Sequence, residues 1–220
     1  MKRSEINQLI QEAIDFFNDR KFYLPKWAYW TPDEWKGKDV KEVTEKMLGW
    51  DLTDFGSGRF FERGLLLFTL RNGRLNTGGK CYAEKIMVVR ENQETPFHFH
   101  WSKHEDIINR GGGRLAIQLY KSTEDEKLSD EEITVMIDDI PRRVKAGGEV
   151  ILEPGESIFL EPYVYHRFYA IGETTMVGEV SSVNDDNTDN RFYEELGRFP
   201  EIEEDVKPNH LLVIDYPKWI

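Results

Sequence analysis

Apolar residues recur at Ile6, Leu9, Ile10, Ala13, Ile14 and Phe17, the three-and-four spacing that lines one face of a helix. This pattern predicts a helix over 4–19, with Ser4 as its N-cap and Pro25 closing the region. A second helix start is written at Thr31-Pro32-Asp33-Glu34: a capping Thr, Pro in the first helical position and Glu three residues after the cap. Trp27, Trp30 and Trp35 cluster here and are read as packing this helical arm onto the body of the protein or onto a second subunit.

From about residue 58 the pattern changes to short β-rich runs, at 65–70, 82–89, 115–120, 133–137, 150–152, 157–160, 167–170 and 175–183. Turn signals separate them, at Asn72-Gly73, Gly111-Gly112-Gly113, Gly147-Gly148 and Pro154-Gly155. Many short strands at this spacing predict an antiparallel sandwich or barrel. The absence of βαβ alternation speaks against a Rossmann fold or a TIM barrel. The acidic stretch 122–132 reads as an exposed loop, and the charged tail ends in a β-like run, His210–Ile214. The expectation is one domain over 1–220: a helical arm (1–57), a barrel core (58–188) and a wrapping C-terminal segment (189–220).

Composition narrows the function classes. At 220 residues, 39% apolar and 13% aromatic, the chain can bury a sizeable core. A net charge of −12 argues against nucleic acid and anionic membranes as partners, and disfavours a phosphorylated substrate. The lone cysteine, Cys81, excludes an intrachain disulfide and fits a reducing compartment. The polar N-terminus is no signal peptide, and no stretch approaches the roughly 18 apolar residues of a membrane span. The expectation is a soluble cytoplasmic protein.

The candidate chemistry is concentrated. Of five histidines, His98, His100 and His104 fall in one short window, TPFHFHWSKHEDI. Two positions apart on a strand, His98 and His100 present their imidazoles on one face. Glu105 follows five residues on, and His166 sits in PGESIFLEPYVYHRF after Pro154-Gly155 and Pro162. His98, His100, Glu105 and His166 make a set of three nitrogens and one oxygen, suited to Mn, Fe, Co, Ni or Zn. His104 is read as exposed or as supporting the ligands.

These two segments resemble the paired cupin motifs, H-x-H-x(4)-E and PG…P…H. The stretches LGWDLTDFG (48–56), GLLLFTLRNG (64–73), KCYAEKIM (80–87), HFHWSKHEDIINRGGG (98–113) and VGEVSSVNDD (177–186) further resemble the D-lyxose isomerase family, over nearly the whole chain. The resemblance implies a cupin β-barrel (a double-stranded β-helix or jelly roll), a Mn²⁺ cofactor and a homodimer. It implies an aldose–ketose isomerase that interconverts D-lyxose and D-xylulose, and D-mannose and D-fructose. It also favours Glu105 over His104 as the fourth ligand.

Isomerisation moves a proton between C1 and C2, so it needs a base, a proton donor and a group that stabilises negative charge on oxygen. The resemblance assigns Lys103 and Glu105 to catalysis and places Lys85, a charge inside the β-run CYAEKIMVV, in a polar cavity. Glu179, Asp186 and Glu204 are further carboxylates for the site, Glu204 as a catalytic one, with Arg198 as a charge partner. Lys85, Glu179, Asp186 and Arg198 are the expected substrate-binding residues. An Fe(II)-dependent cupin dioxygenase, a non-catalytic sugar-binding cupin and a cupin phosphosugar isomerase are the competing readings.

Overall fold

The computed structural model describes residues 1–75 and 79–220. Its first helix, α1 (Arg3–Asp19), is the predicted one with its start shifted. Ser4 does not cap it. Lys2 occupies that position, and Ser4 gives its N–H and hydroxyl to the Asp205 carboxylate, at 3.0 and 2.6 Å. The second start signal yields a single turn, α2 (Pro32–Trp35), where the Glu34 carboxylate accepts both the N–H and the hydroxyl of Thr31. α3 (Lys41–Glu45) completes the arm.

Among the described residues, thirteen strands follow. They are β1 (Gly49–Thr53), β2 (Leu65–Arg71), β3 (Tyr82–Val89), β4 (Thr95–Phe99), β5 (Glu105–Gly111), β6 (Arg114–Lys121) and β7 (Ile133–Ile137). The rest are β8 (Ile140–Val144), β9 (Glu149–Leu152), β10 (Ser157–Leu160), β11 (Val164–Ile171), β12 (Thr175–Ser182) and β13 (Arg191–Phe192). They form an eight-stranded sheet in the order β1-β2-β3-β12-β5-β10-β7-β8 and a five-stranded sheet in the order β13-β4-β11-β6-β9. Every pairing between named strands is antiparallel, as the turn spacing predicted. Strand structure begins at residue 49, inside the stretch read as helical arm, and β13 lies inside the stretch read as wrapping tail.

The two-residue period of the strands sorts their side chains. Leu65, Leu67, Met87, Val89, Ile107 and Val177 of the large sheet meet Leu115, Ile117, Leu119 and Phe168 of the small one in a buried core between the sheets. Leu66, Phe68, Ile86 and Val88 alternate with them and point outward, against Ile6, Ile10, Ile14 and Phe17 of α1. Where both faces are covered, Leu65–Phe68 of β2 and Ile86–Val89 of β3 read as unbroken apolar runs rather than alternating ones.

The tryptophans pack the arm onto the body, as read. Trp27 and Trp30 flank Trp35, which packs against Tyr216 in a tilted arrangement. The run at His210–Ile214 is not a strand. Leu212 bridges to Trp50, and Val213–Asp215 turns as a 3-10 helix. The Asp215 carboxylate drives that turn, accepting the Leu212 N–H at 2.9 Å while it holds Arg3. The stretch 122–132 is a largely exposed loop. Among the described residues no helix is long and apolar enough to cross a membrane.

Candidate metal centre and adjoining cavity

The same alternation that builds the core builds the site. Trp50 and Leu52 of β1 face the helix, so Asp51 and Thr53 face inward. In β3, Lys85 shares its face with Met87 and Val89. In β5 Glu105 shares with Ile107, and in β12 Glu179 shares with Val177. His98 of β4, His100 just beyond its end, and His166 of β11 project from the small sheet toward them, with His166 directly opposite His98 in register. All line one cavity of about 300 Å³, partly roofed by Asn187, Asn190, Leu196 and Arg198 of the tail.

At its floor, one ligand atom from each of His98, His100, Glu105 and His166 lies within 4.8 Å of the others, and all four residues are buried. Each imidazole is held through Nδ1 against a backbone carbonyl: His98 on Pro96 (2.9 Å), His166 on Val164 (3.0 Å) and His100 on Asp189. A neutral ring donates from Nδ1 in that arrangement and leaves a lone pair on Nε2. His100 Nε2, His166 Nε2 and Glu105 Oε1 have no hydrogen-bond partner, although buried. They stand 3.2–3.3 Å apart as facing electron-pair donors. Buried orphans of this kind are costly, and a divalent cation satisfies all of them at once.

The electrostatics agree. Burial first, then the neighbouring His166 and His100, keep His98 well below the usual imidazole range and hence neutral. Burial pushes Glu105 upward, but the Lys103 ammonium outweighs it and holds the carboxylate well below its usual range.

From the floor a chain of alternating charges runs up one wall. Lys103 Nζ lies 2.8 Å from Glu105 Oε2 and 2.9 Å from Glu179 Oε1. Glu179 Oε1 lies 3.5 Å from Lys85 Nζ, which reaches Asp186 Oδ1 at 3.2 Å. Arg198 stands between Asp186 Oδ2 (3.7 Å) and Asp51 Oδ2 (3.4 Å). Burial acts against the charge on Lys103, yet the surrounding carboxylates raise it above the ordinary lysine range. Asp186 is likewise lowered, burial being overcome by Lys85, Lys103 and Arg198.

The structure therefore brings together His98, His100, Glu105, His166, Lys103, Lys85, Glu179, Asp186 and Arg198. It does not bring Glu204 there. That carboxylate lies in the stretch that follows the roof, where its two oxygens bind Arg3 at 2.8 and 2.9 Å. Arg3 is fully buried between Glu204 and Asp215, and needs both for its charge. His104 is exposed and stacks on Phe159.

Sequence reasoning missed three residues. Asp189 gathers the backbone N–H groups of Trp101, Ser102 and Lys103 on its carboxylate at 2.8–3.0 Å, which fixes the turn between β4 and β5. Asn184 Oδ1 accepts from Lys85 at 2.8 Å. Asp51 lines the cavity from β1. The Asn/Asp density of NDDNTDN marked a turn-forming segment but gave no sign of what it would hold.

The family model for D-lyxose isomerase matches residues 1–216. A D-lyxose/D-mannose isomerase of Escherichia coli O157:H7 is 46% identical over 224 aligned positions, covering 98% of each chain. One from Serratia proteamaculans is 46% identical over 230 positions, covering 100% of each. Among solved structures, Cellulomonas parahominis L-ribose isomerase with L-ribose superposes with a TM-score of 0.62 at 15% identity, covering 92% of this chain and 98% of that one. Geodermatophilus obscurus L-ribose isomerase gives 0.63 at 14% identity, with the same coverage. That likeness is one of fold alone: mainly β with a helical N-terminal region.

Proposed function

The chain belongs to the D-lyxose isomerase family, and we propose that it is a metal-dependent aldose–ketose isomerase interconverting D-lyxose with D-xylulose and D-mannose with D-fructose. The observation that carries the reading is the convergence of four buried ligand atoms beside a wall of alternating acids and bases. His98, His100, Glu105 and His166 would hold the ion, and Mn²⁺ suits this donor set and the family resemblance. A bound divalent ion supplies Lewis-acid polarisation of the sugar's carbonyl and hydroxyl oxygens.

The chain's own groups supply the proton chemistry. Glu105 has one oxygen among the imidazoles and the other on Lys103, and Asp186 is held by Lys85, Arg198 and Asn190. We assign the proton carried between C1 and C2 to Glu179, whose carboxylate lines the cavity against Lys103 and Lys85. Lys103, touching both Glu179 and Glu105, offers its ammonium to the oxygen on which negative charge develops. Lys85, Asp186 and Arg198 bind sugar hydroxyls, and the apolar residues Leu65, Leu67, Phe168 and Phe192 limit access of water to the cavity. Such a wall suits a polyol better than the apolar substrates of a dioxygenase. Its cations, each engaged with a carboxylate, leave no evident phosphate pocket.

The closure of the two sheets into a cupin barrel, one domain over 1–220, a homodimeric assembly and a cytoplasmic location complete the proposal. Family resemblance supports the first three, and the lone, exposed Cys81 supports the last.

The test is to follow [1-¹³C]-D-lyxose by NMR in D₂O with Mn²⁺-loaded protein. The anomeric carbon signal is expected to give way to a ketose hydroxymethyl carbon. Deuterium arriving there would mark the enediol route. No ketose from lyxose or mannose, with the ion shown to be bound, would overturn the proposal.

A further inference from the structure

The wall of ion pairs has two ends, and the metal-ligand cluster lies at one of them. The other is built from two segments far apart in sequence. From β1 comes Asp51, 8% exposed. From the tail comes Arg198, whose position is fixed from several sides. Its backbone carbonyl accepts the Thr53 hydroxyl, and its guanidinium reaches Asn187 and lies 4.7 Å over Phe199. Just before it, Gly197 packs on Gly56 so closely that a Cβ on Gly56 would sit 3.0 Å from the Gly197 Cα, while Gly56 itself has φ +72°. Strand and tail are thus locked together, and Asp51 and Arg198 are presented as a pair.

The pair is incompletely matched. Asp51 Oδ1 accepts the Leu52 N–H at 2.9 Å. Oδ2 has only Arg198, at the long distance of 3.4 Å. The other charged group near it is Asp186, also in contact with Arg198, and the Tyr216 phenol lies close on the far side. A buried carboxylate facing a cavity with one weak partner has spare acceptor capacity. Burial, opposed by Arg198, pushes the Asp51 carboxyl up to about 6, so it is mostly ionised at neutral pH. A hydroxyl group is the donor that fits.

We propose that Asp51 determines specificity by accepting a hydrogen bond from the terminal hydroxyl of the sugar, at the end remote from the metal. The inference rests on the sugar-isomerase reading. With C1 and C2 held at the ligand cluster, the other end of an open pentose chain meets the wall made by Asp51 and Arg198. Asp51 thereby selects for a hydroxyl there, without taking part in the proton transfer.

The experiment crosses Asp51→Asn with removal of that hydroxyl. Kd by calorimetry, and kcat and KM, are measured for D-lyxose and 5-deoxy-D-lyxose with Mn²⁺-loaded wild-type and variant protein. Hydrogen bonds to charged groups predict at least a tenfold loss for the variant on D-lyxose, in Kd and KM rather than kcat. On the deoxy sugar the variant and the wild type should agree within about twofold. An equal loss on both sugars, or a loss confined to kcat, overturns the role given to Asp51. If the variant does not fold, the wild type alone decides: equal Kd for the two sugars overturns the proposal and a tenfold difference supports it. Absence of turnover by the wild type would instead strike the isomerase reading, while the Kd comparison would still test Asp51.

Discussion

Lys103 and Glu105 stand two positions apart and hold each other by their tips, Nζ to Oε2 at 2.8 Å, with both side chains 2% exposed. The contact ties a ligand of the metal cluster to the head of the charged wall. It lets Glu105 stay ionised in a buried place, and it keeps Lys103 protonated next to Glu179. Lys103→Met removes the charge and keeps the stem. The ion-free variant should lose about 3 kcal/mol of stability in urea unfolding, because a buried carboxylate loses its partner. Mn²⁺ should restore part of that loss. With the ion bound, kcat should still fall at least ~100-fold, the usual scale for losing a positioned proton donor.

The ligand cluster makes a separate prediction. An ion that binds only the folded chain stabilises it by about 2.7 kcal/mol at a hundredfold excess over Kd. Thermal unfolding of the wild type should shift upward with Mn²⁺ to that extent. His166→Ala, which removes one of the converging nitrogens, should show little or no shift.

Asp189 touches no ligand atom of the cluster with its carboxylate, yet it holds the turn carrying Lys103 and presents its carbonyl to His100 Nδ1. Asp189→Ala should weaken metal binding by about 10–100-fold, the range for losing groups that orient ligands. Calorimetric titration with Mn²⁺ measures it directly.

Arg3 and its partners should behave as structure alone. Glu204→Gln should leave kcat within about twofold and cost no more than about 1 kcal/mol, since Glu204 is partly exposed. Arg3→Met should cost about 3–5 kcal/mol, because Asp215 would be left buried and unpaired. Urea unfolding with kinetics on the same samples checks both.

Two cavity carboxylates give stability opposite slopes with pH. Asp186 is lowered in the folded chain, so its contribution is present above the unfolded aspartate range near 3.9 and is lost as pH falls toward its folded value. Asp51 is raised to about 6, so the folded state binds its proton more tightly. Its ionisation costs stability progressively as pH rises from about 4 to 6, by on the order of 3 kcal/mol, and the cost persists above that. Asp51→Asn should therefore be more favourable to stability at pH 7.5 than at pH 4, relative to wild type. A difference independent of pH would show that Asp51 titrates normally.

Much of this was legible in the sequence because strand alternation is local. Once HFH is a strand edge and YAEKIMVV a strand, His98, His100 and Lys85 must face inward with the apolar residues that alternate with them. The long-range partners were not legible. Nothing near Glu204 shows that Arg3, about two hundred residues away, will claim it. Asp51 lay hidden in a segment read as helical arm, since GWDLT is too short to declare itself a strand without its partner β2. The run at 210–214 misled for the complementary reason: its apolar pattern suits a strand, but the Asp215 carboxylate closes it into a turn.

On this reading, the cluster of His98, His100, Glu105 and His166 holds the ion on which isomerisation depends. The most direct measurement titrates chelator-stripped protein with Mn²⁺, following bound metal and ketose formation from D-lyxose in the same samples, beside His100→Ala. The account predicts that activity rises in proportion to bound ion, saturates at one per chain, and is absent from the variant. Full ketose formation by metal-free protein, or by His100→Ala, would contradict it.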